Sequence, residues 1–146
     1  MGAQSADITG IWRAAYTCGV SIQAELSISK SDKGSYEGRN LFTATDASGQ
    51  SMSGEQEVGV YFEPATHSLR VDRSDWIRQP ATDTYLMTSY RGTIDPSTGI
   101  YTVPSQQTRC REKQDIVFQR VPQQVLDEER ARREALQQQF AQSPVA

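Results

Sequence analysis

The sequence predicts an all-β fold, an eight-stranded antiparallel up-and-down barrel or closed sandwich, followed by a C-terminal α-helix. Residues 8–120 contain short segments in which apolar and polar residues alternate at even spacing, without a helical pattern between them. Such spacing is typical of antiparallel sandwiches and barrels. After residue 120 the composition changes to that of a helix. We therefore assign residues 1–7 to a leader, 8–120 to the β domain, 121–142 to the helix and 143–146 to a tail.

The first three strands follow from the alternation, which is the pattern of a strand buried on one face. The apolar residues of the first two strands share one parity: Ile8, Trp12, Ala14, Tyr16, Cys18, then Ile22, Ala24, Leu26 and Ile28. The stretch "SKSDKG" predicts a turn, and residues 36–44 form a weaker third strand that contains Phe42.

Two polar stretches flank the next pair of strands, which we place at residues 58–62 and 69–71. "TDASGQSMSGEQE" (45–57) is rich in Ser and Gly and has no periodicity, which predicts a loop. "RSDWIRQP" (73–80) also has the texture of a loop. Trp76 within it then either closes one end of the barrel or faces a partner.

The last three strands come from "TYLMTSYRG", "GIYTV" and "DIVFQR". An internal echo supports the hairpins between strands, since "FEPATHSLRV" (62–71) aligns without gaps to "IDPSTGIYTV" (94–103). Proline presets φ at the second position of a turn and Gly99 tolerates a positive φ, so each copy predicts a hairpin turn.

The C-terminal segment "VPQQVLDEERARREALQQQFAQ" (121–142) predicts a helix with Pro122 near its start. Its apolar stripe is narrow: Val125, Leu126, Ala131, Leu136 and Phe140. Such a helix either packs on one edge of the barrel or stands apart as a second contact for a partner.

The composition and charge of the chain exclude several classes of partner. The chain has 146 residues, 36% hydrophobic and 23% charged, with a net charge of −3. Because the basic residues are scattered among acids, we expect neither nucleic acid nor an anionic membrane surface as a partner. No apolar run reaches the ~18 residues that a transmembrane helix needs.

The two cysteines, Cys18 and Cys110, have neither a Cys-x-x-Cys spacing nor a nearby histidine, which argues against zinc and leaves a disulfide or two buried thiols. We predict the disulfide. After Met1 and Gly2, the polar start Ala3-Gln4-Ser5 is common where a signal peptide has been removed. Disulfides persist outside the reducing cytosol, so we expect a periplasmic or secreted protein.

Nothing in the sequence declares a catalytic site. His67 is the single histidine and lies in a tight turn, which favours a surface residue over a general base. Nucleophile elbows, P-loops and dinucleotide fingerprints are missing, so we expect no cofactor and no enzyme activity. A weak calcium site from Glu63, Asp72 and Asp75 stays open as an alternative to no metal site.

Three features resemble the calycins, the lipocalin and avidin barrels. Gly10-Ile11-Trp12 is similar to the Gly-x-Trp of their first strand, and Thr82-Asp83-Thr84-Tyr85 to the lipocalin Thr-Asp-Tyr motif with one residue inserted. Arg120 closes the last strand where those barrels place an arginine against the tryptophan. The resemblance implies a calycin-like closed barrel more than it implies a ligand.

A second resemblance covers more of the chain. The order of its motifs looks like a small disulfide-bearing β module of bacterial exported and multidomain proteins, some with metacaspase-like regions. The framework positions would be Trp12, Cys18, Trp76, Pro80, Gly92, Cys110 and Arg120. This resemblance implies that Trp76 is partly structural.

From these observations we expect a non-enzymatic protein-binding module of the bacterial cell envelope, such as an inhibitor, immunity or assembly-accessory protein. The candidate partner-binding residues are Trp76, Arg73, Arg78 and His67, because Trp and Arg are enriched at interface hot spots. The alternative is a lipocalin-like carrier with a small apolar ligand inside the barrel. Bulky inner candidates argue for a filled core instead: Trp12, Tyr16, Leu26, Phe42, Phe62 and Phe118.

Overall fold

The predicted fold class is confirmed. In the computed structural model, which describes residues 7–79 and 89–142, antiparallel strands form a closed barrel in which each strand pairs with the next in sequence and β1 pairs with β8. The strands are β1 Gly10–Thr17, β2 Ser21–Lys30, β3 Tyr36–Thr45, β4 Ser51–Glu63, β5 Ser68–Arg78, β6 Tyr90–Asp95, β7 Ile100–Val103 and β8 Ile116–Arg120. A 3₁₀ turn, Ser105–Gln107, precedes β8, and the helix α1, Gln123–Gln142, ends the described chain.

Some sequence predictions lie outside the described residues. These are the leader up to residue 6, the tail 143–146, Pro80, the stretch Thr82-Asp83-Thr84-Tyr85 and the first part of the sixth predicted strand. From Tyr90 onward that strand is present as β6.

The barrel interior is packed with the apolar residues that the alternation predicted. Of the inner candidates, Trp12, Leu26 and Phe118 are fully buried and Phe42 nearly so. Tyr16 and Phe62 pack against this core while partly exposed. Tyr90 and Tyr101 complete its aromatic centre.

The loop predicted over residues 45–57 is wrong. The turn spans only residues 46–50, and β4 begins at Ser51. The strand escaped the pattern because its buried parity carries Gly54 and Gln56, which show no hydrophobic alternation. Gly54 lies directly opposite Phe42 on β3, so a residue without a side chain faces a large ring there.

The loop predicted from Arg73 onward is wrong as well, because β5 continues to Arg78. Two register shifts against β4 let an irregular polar sequence stay in the sheet. After them, Trp76 pairs with Gln56 on the buried parity of β4.

The internal echo corresponds to two equivalent hairpin turns, β4–β5 and β6–β7. His67 and Gly99 occupy the same position of the two turns and both have a positive φ, 59° and 72°. In the second turn, Ser97 donates two hydrogen bonds to the carboxylate of Asp95, from its backbone N–H at 3.0 Å and its hydroxyl at 2.6 Å.

Closure of the barrel depends on a short seam between β1 and β8. Only Trp12 with Arg120 and Arg13 with Gln119 pair across it in the described register. The guanidinium of Arg120 lies 4.6 Å from the ring centre of Trp12, the packing that the calycin resemblance implies. At the opposite end of β1, the predicted disulfide joins Cys18 to Cys110.

The helix α1 begins where the sequence places it, with Pro122 accepting the first helical hydrogen bonds. Arg13 on β1 holds it by a bidentate ion pair with Glu129, at 2.8 and 2.9 Å. Every residue from Arg130 to Ala141 is exposed, so the contact of α1 with the described strands is confined to its first turns.

Candidate functional site

The four predicted partner-binding residues all lie on β5 or its turn, but they do not form one cluster. His67 is in the β4–β5 turn at one end of the barrel, whereas Trp76 and Arg78 lie near the last residue of β5 at the other end. Arg73, Arg78 and His67 are exposed. His67 therefore separates from the other three, which follow one another along the strand.

Trp76 is half-buried at the mouth of the barrel. Its ring centre lies 6.1 Å from that of Phe42, at a tilt of 49°. Its position opposite Gln56 places it over the inner layer of the barrel. This geometry matches a residue that covers the barrel end, while its exposed part remains accessible to a partner.

Among the described residues, no hydrogen-bond partner orients the His67 side chain as a general base would need. Its ring centre lies 6.5 Å from that of Phe62, and its backbone carbonyl accepts a hydrogen bond from Ile94. Glu63, Asp72 and Asp75 form no metal-binding cluster within the described ranges either. The carboxylate of Asp72 is instead bonded by Arg70 at 3.0 Å.

The interior of the barrel is filled by aromatic rings. Phe118 packs edge-on against Tyr90 at 5.0 Å and stacks on Tyr101 at 5.5 Å, and all three are fully buried. Tyr101 also donates a hydrogen bond to the carbonyl of Leu69. These three rings pack against one another at the centre of the barrel.

A polar layer, missed by the sequence analysis, lies beside this aromatic centre. Asn40 is fully buried and donates from Nδ2 to the hydroxyl of Tyr90 at 3.2 Å, and that hydroxyl lies 3.3 Å from the hydroxyl of Tyr16. Gln56, also fully buried, pairs with Asn40 in register. Burial raises the pKa of both tyrosines, which favours the neutral phenol in each.

A second feature missed by the sequence analysis is a row across the outer face, which we call the outer arginine row: Tyr61 on β4, Arg70 on β5 and Arg91 on β6. Tyr61 is 55% exposed, and the guanidinium of Arg70 lies 4.5 Å from its ring centre. The row shares an open groove of about 850 Å³ with Pro104 and Gln107 and with residues of the inner parity, Phe62 and Leu69 among them. In the sequence, the sign of this row is that Tyr and Arg occupy positions of these strands that face solvent.

The outer arginine row is electrostatically costly. Arg70 and Arg91 are directly opposite each other on neighbouring strands, and like charges in such a pair destabilise a sheet. Asp72 compensates Arg70, but within the described residues no carboxylate forms an ion pair with Arg91. The pairing of Arg70 with Arg91 therefore does not stabilise the barrel.

Comparison with known proteins finds no matching family model, no matching curated protein and no matching solved structure. The described part of the chain has no helix long and apolar enough to span a membrane.

Proposed function

We propose that this protein is a non-enzymatic binding module of the bacterial cell envelope that recognises an acidic surface on a protein partner. The observation that carries the proposal is the outer arginine row. An exposed Tyr beside two Arg has the composition of an interface hot spot. A carboxylate on the partner would relieve the repulsion between Arg70 and Arg91.

Two further observations support this proposal over a carrier. Rings of Tyr90, Tyr101 and Phe118 fill the barrel centre, which leaves the outer face for recognition. The disulfide is compatible with a place outside the cytosol. Trp76, with Arg73 and Arg78, remains our second candidate surface, at the barrel mouth.

The test is affinity capture from a cell-envelope extract with matched variants. We expect the Tyr61→Ala/Arg91→Ala double variant to lose the captured partner, because it removes the aromatic anchor and the charge with which no described carboxylate pairs. Arg39→Ala is the control, since Arg39 is also an outward-facing arginine, on β3, with only a distant ion pair of 4.0 Å to Glu55. Trp76→Ala measures the second candidate surface in the same experiment.

Two results would overturn the proposal. One is capture that survives in the double variant as well as in Arg39→Ala and Trp76→Ala. The other is a lipid or metabolite retained by the purified protein in native mass spectrometry, which would favour the carrier. Loss of capture in Trp76→Ala alone would move the binding surface from the outer arginine row to the barrel mouth.

A further inference from the structure

The exposed large apolar side chains of the described residues concentrate on two neighbouring surfaces. Seven such side chains are exposed, and five belong to α1 or to the outer face of the strands next to its anchor. Those on α1 are Val125, Leu136 and Phe140, the last 79% exposed, and those on the strands are Leu41 and Val117. A concentration of this kind marks an interaction surface more often than scattered single residues do.

The apolar residues of α1 continue the face by which the helix is anchored. Leu136 follows Glu129 by seven residues, about two helical turns, and Phe140 follows one turn later. Glu129 contacts Arg13, so this face starts on the barrel and then runs out into solvent. Packing of an apolar face supplies most helix stability in proteins, and the exposed part of α1 has no such packing on the described strands.

The outer face of β8, β1, β2 and β3 contains a groove of about 440 Å³, which we call the α1 groove. Arg13 lines it, so the groove borders the anchor of the helix. Val117, Ala15 and Leu41 supply its apolar surface. Its two charged residues, Arg13 and Glu25, bond each other at 2.9 Å, which leaves the remaining lining neutral.

We propose that the α1 groove binds the end of α1 from a second copy of this chain, and that the two copies exchange helices reciprocally. The segment 135–142, "ALQQQFAQ", contains no charged residue, which matches the neutral lining of the groove. No described residue of α1 lines the groove of its own chain. Since each chain has one helix end and one groove, two identical contacts close a two-fold dimer.

This proposal does not depend on the outer arginine row, which lies on β4, β5 and β6. The α1 groove lies on the outer face of β8, β1, β2 and β3, which shares no strand with the outer arginine row. A dimer formed in this way leaves the outer arginine row accessible, so failure of either proposal leaves the other intact.

The experiment is sedimentation equilibrium over a range of protein concentrations. We expect a monomer–dimer equilibrium whose dissociation constant rises about tenfold or more in Phe140→Asp and in Val117→Asp, because a carboxylate in an apolar contact loses its hydration. Gln138→Asp is the matched control: it adds the same charge to α1 two residues before Phe140, on the opposite side of the helix, and should leave dimerisation unchanged. Far-UV circular dichroism of each variant checks that the fold is retained.

Mixing the two variants distinguishes helix exchange from other modes of association. A Phe140→Asp chain has an intact groove and a Val117→Asp chain an intact helix end, so their heterodimer regains one of two contacts. We expect the mixture to dimerise more strongly than either variant alone. A wild-type protein that stays monomeric at every concentration would overturn the proposal, as would dimers that Val117→Asp leaves unaffected.

Discussion

At the scale of single residues, the two tryptophans of the chain have different environments. Trp12 is fully buried, donates from Nε1 to the carbonyl of Ile8 at 3.0 Å and lies under the guanidinium of Arg120. Trp76 is half-exposed and contacts the ring of Phe42. Trp12 thus joins the core to the β1–β8 seam, whereas Trp76 stays partly exposed near the end of β5.

We predict a larger loss of stability for Trp12→Ala than for Trp76→Ala. Truncating a fully buried tryptophan costs about 3–5 kcal/mol in free energy of unfolding. Removing the partly exposed ring should cost about 1–2 kcal/mol, within the ordinary range for a point substitution. Urea denaturation of both variants checks the difference, and equal losses would place Trp76 in the core and weaken its case as a contact residue.

The two residues also show what sequence can predict at this scale. Alternation identified Trp12 and the other inner apolar residues because each occupies the buried parity of a regular strand. It gave no sign that Asn40, on the parity of Phe42, is buried, and it missed Gln56, which lies in the stretch predicted as a loop. The outer arginine row was missed for a different reason: Tyr61, Arg70 and Arg91 meet only through strand register.

At the scale of elements, the strands with regular alternation were predicted at nearly their full length and the irregular ones only in part. The turns at His67 and Gly99 were identified from their shared pattern of acid, proline and threonine. β4 and β5 were both predicted too short, because β4 starts with small and polar residues and β5 continues through register shifts. Pairing with neighbouring strands, which the local sequence does not encode, keeps these segments in the sheet.

For α1 we predict that its anchor weakens in acid. Hydrogen bonds from Arg13 lower the pKa of Glu129 below its ordinary value of 4.5. Because the folded-state pKa lies below the unfolded one, the stabilisation is complete above pH 4.5 and is lost as pH falls through the lowered pKa. NMR titration of the Glu129 carboxyl checks the shift, and ¹⁵N relaxation should show α1 reorienting more independently of the barrel in acid.

A pair of variants tests the cause of that shift. In Arg13→Gln we expect the pKa of Glu129 to rise toward its ordinary value and α1 to become mobile at neutral pH. Arg133→Gln serves as the control, since Arg133 contributes less to the lowering. An equal rise of the Glu129 pKa in both variants would contradict the prediction, because Arg13 on the barrel would then lower that pKa no more than an arginine of α1 does.

At the scale of the whole molecule, closure of the barrel has contributions at both ends of β1. Near one end, Trp12 and Arg13 pair with β8, and the backbone N–H of Val121 donates to the carbonyl of Ile11. Beyond the other end, Cys18 in the β1–β2 turn bonds Cys110, ninety-two residues later in the connection from β7 to β8. The carboxylate of Glu112 accepts a hydrogen bond from the N–H of Gly19 at the same end. The disulfide thus joins the two strands where their sheet pairing has ended.

We predict that the Cys18→Ser/Cys110→Ser double variant loses about 4–5 kcal/mol in free energy of unfolding, since the bond closes a loop spanning most of the barrel. The loss should be uneven across the sheet. Amide exchange should accelerate most in β1 and β8, because the remaining seam is short, and least in β2, β3 and β4, which pair along their length. Hydrogen exchange of wild type and variant measures this, and reduction of the wild type should reproduce it. A thiol assay on unfolded, non-reduced protein that reads two free thiols would contradict both the bond and its role in closure, and would remove the chief support for a place outside the cytosol.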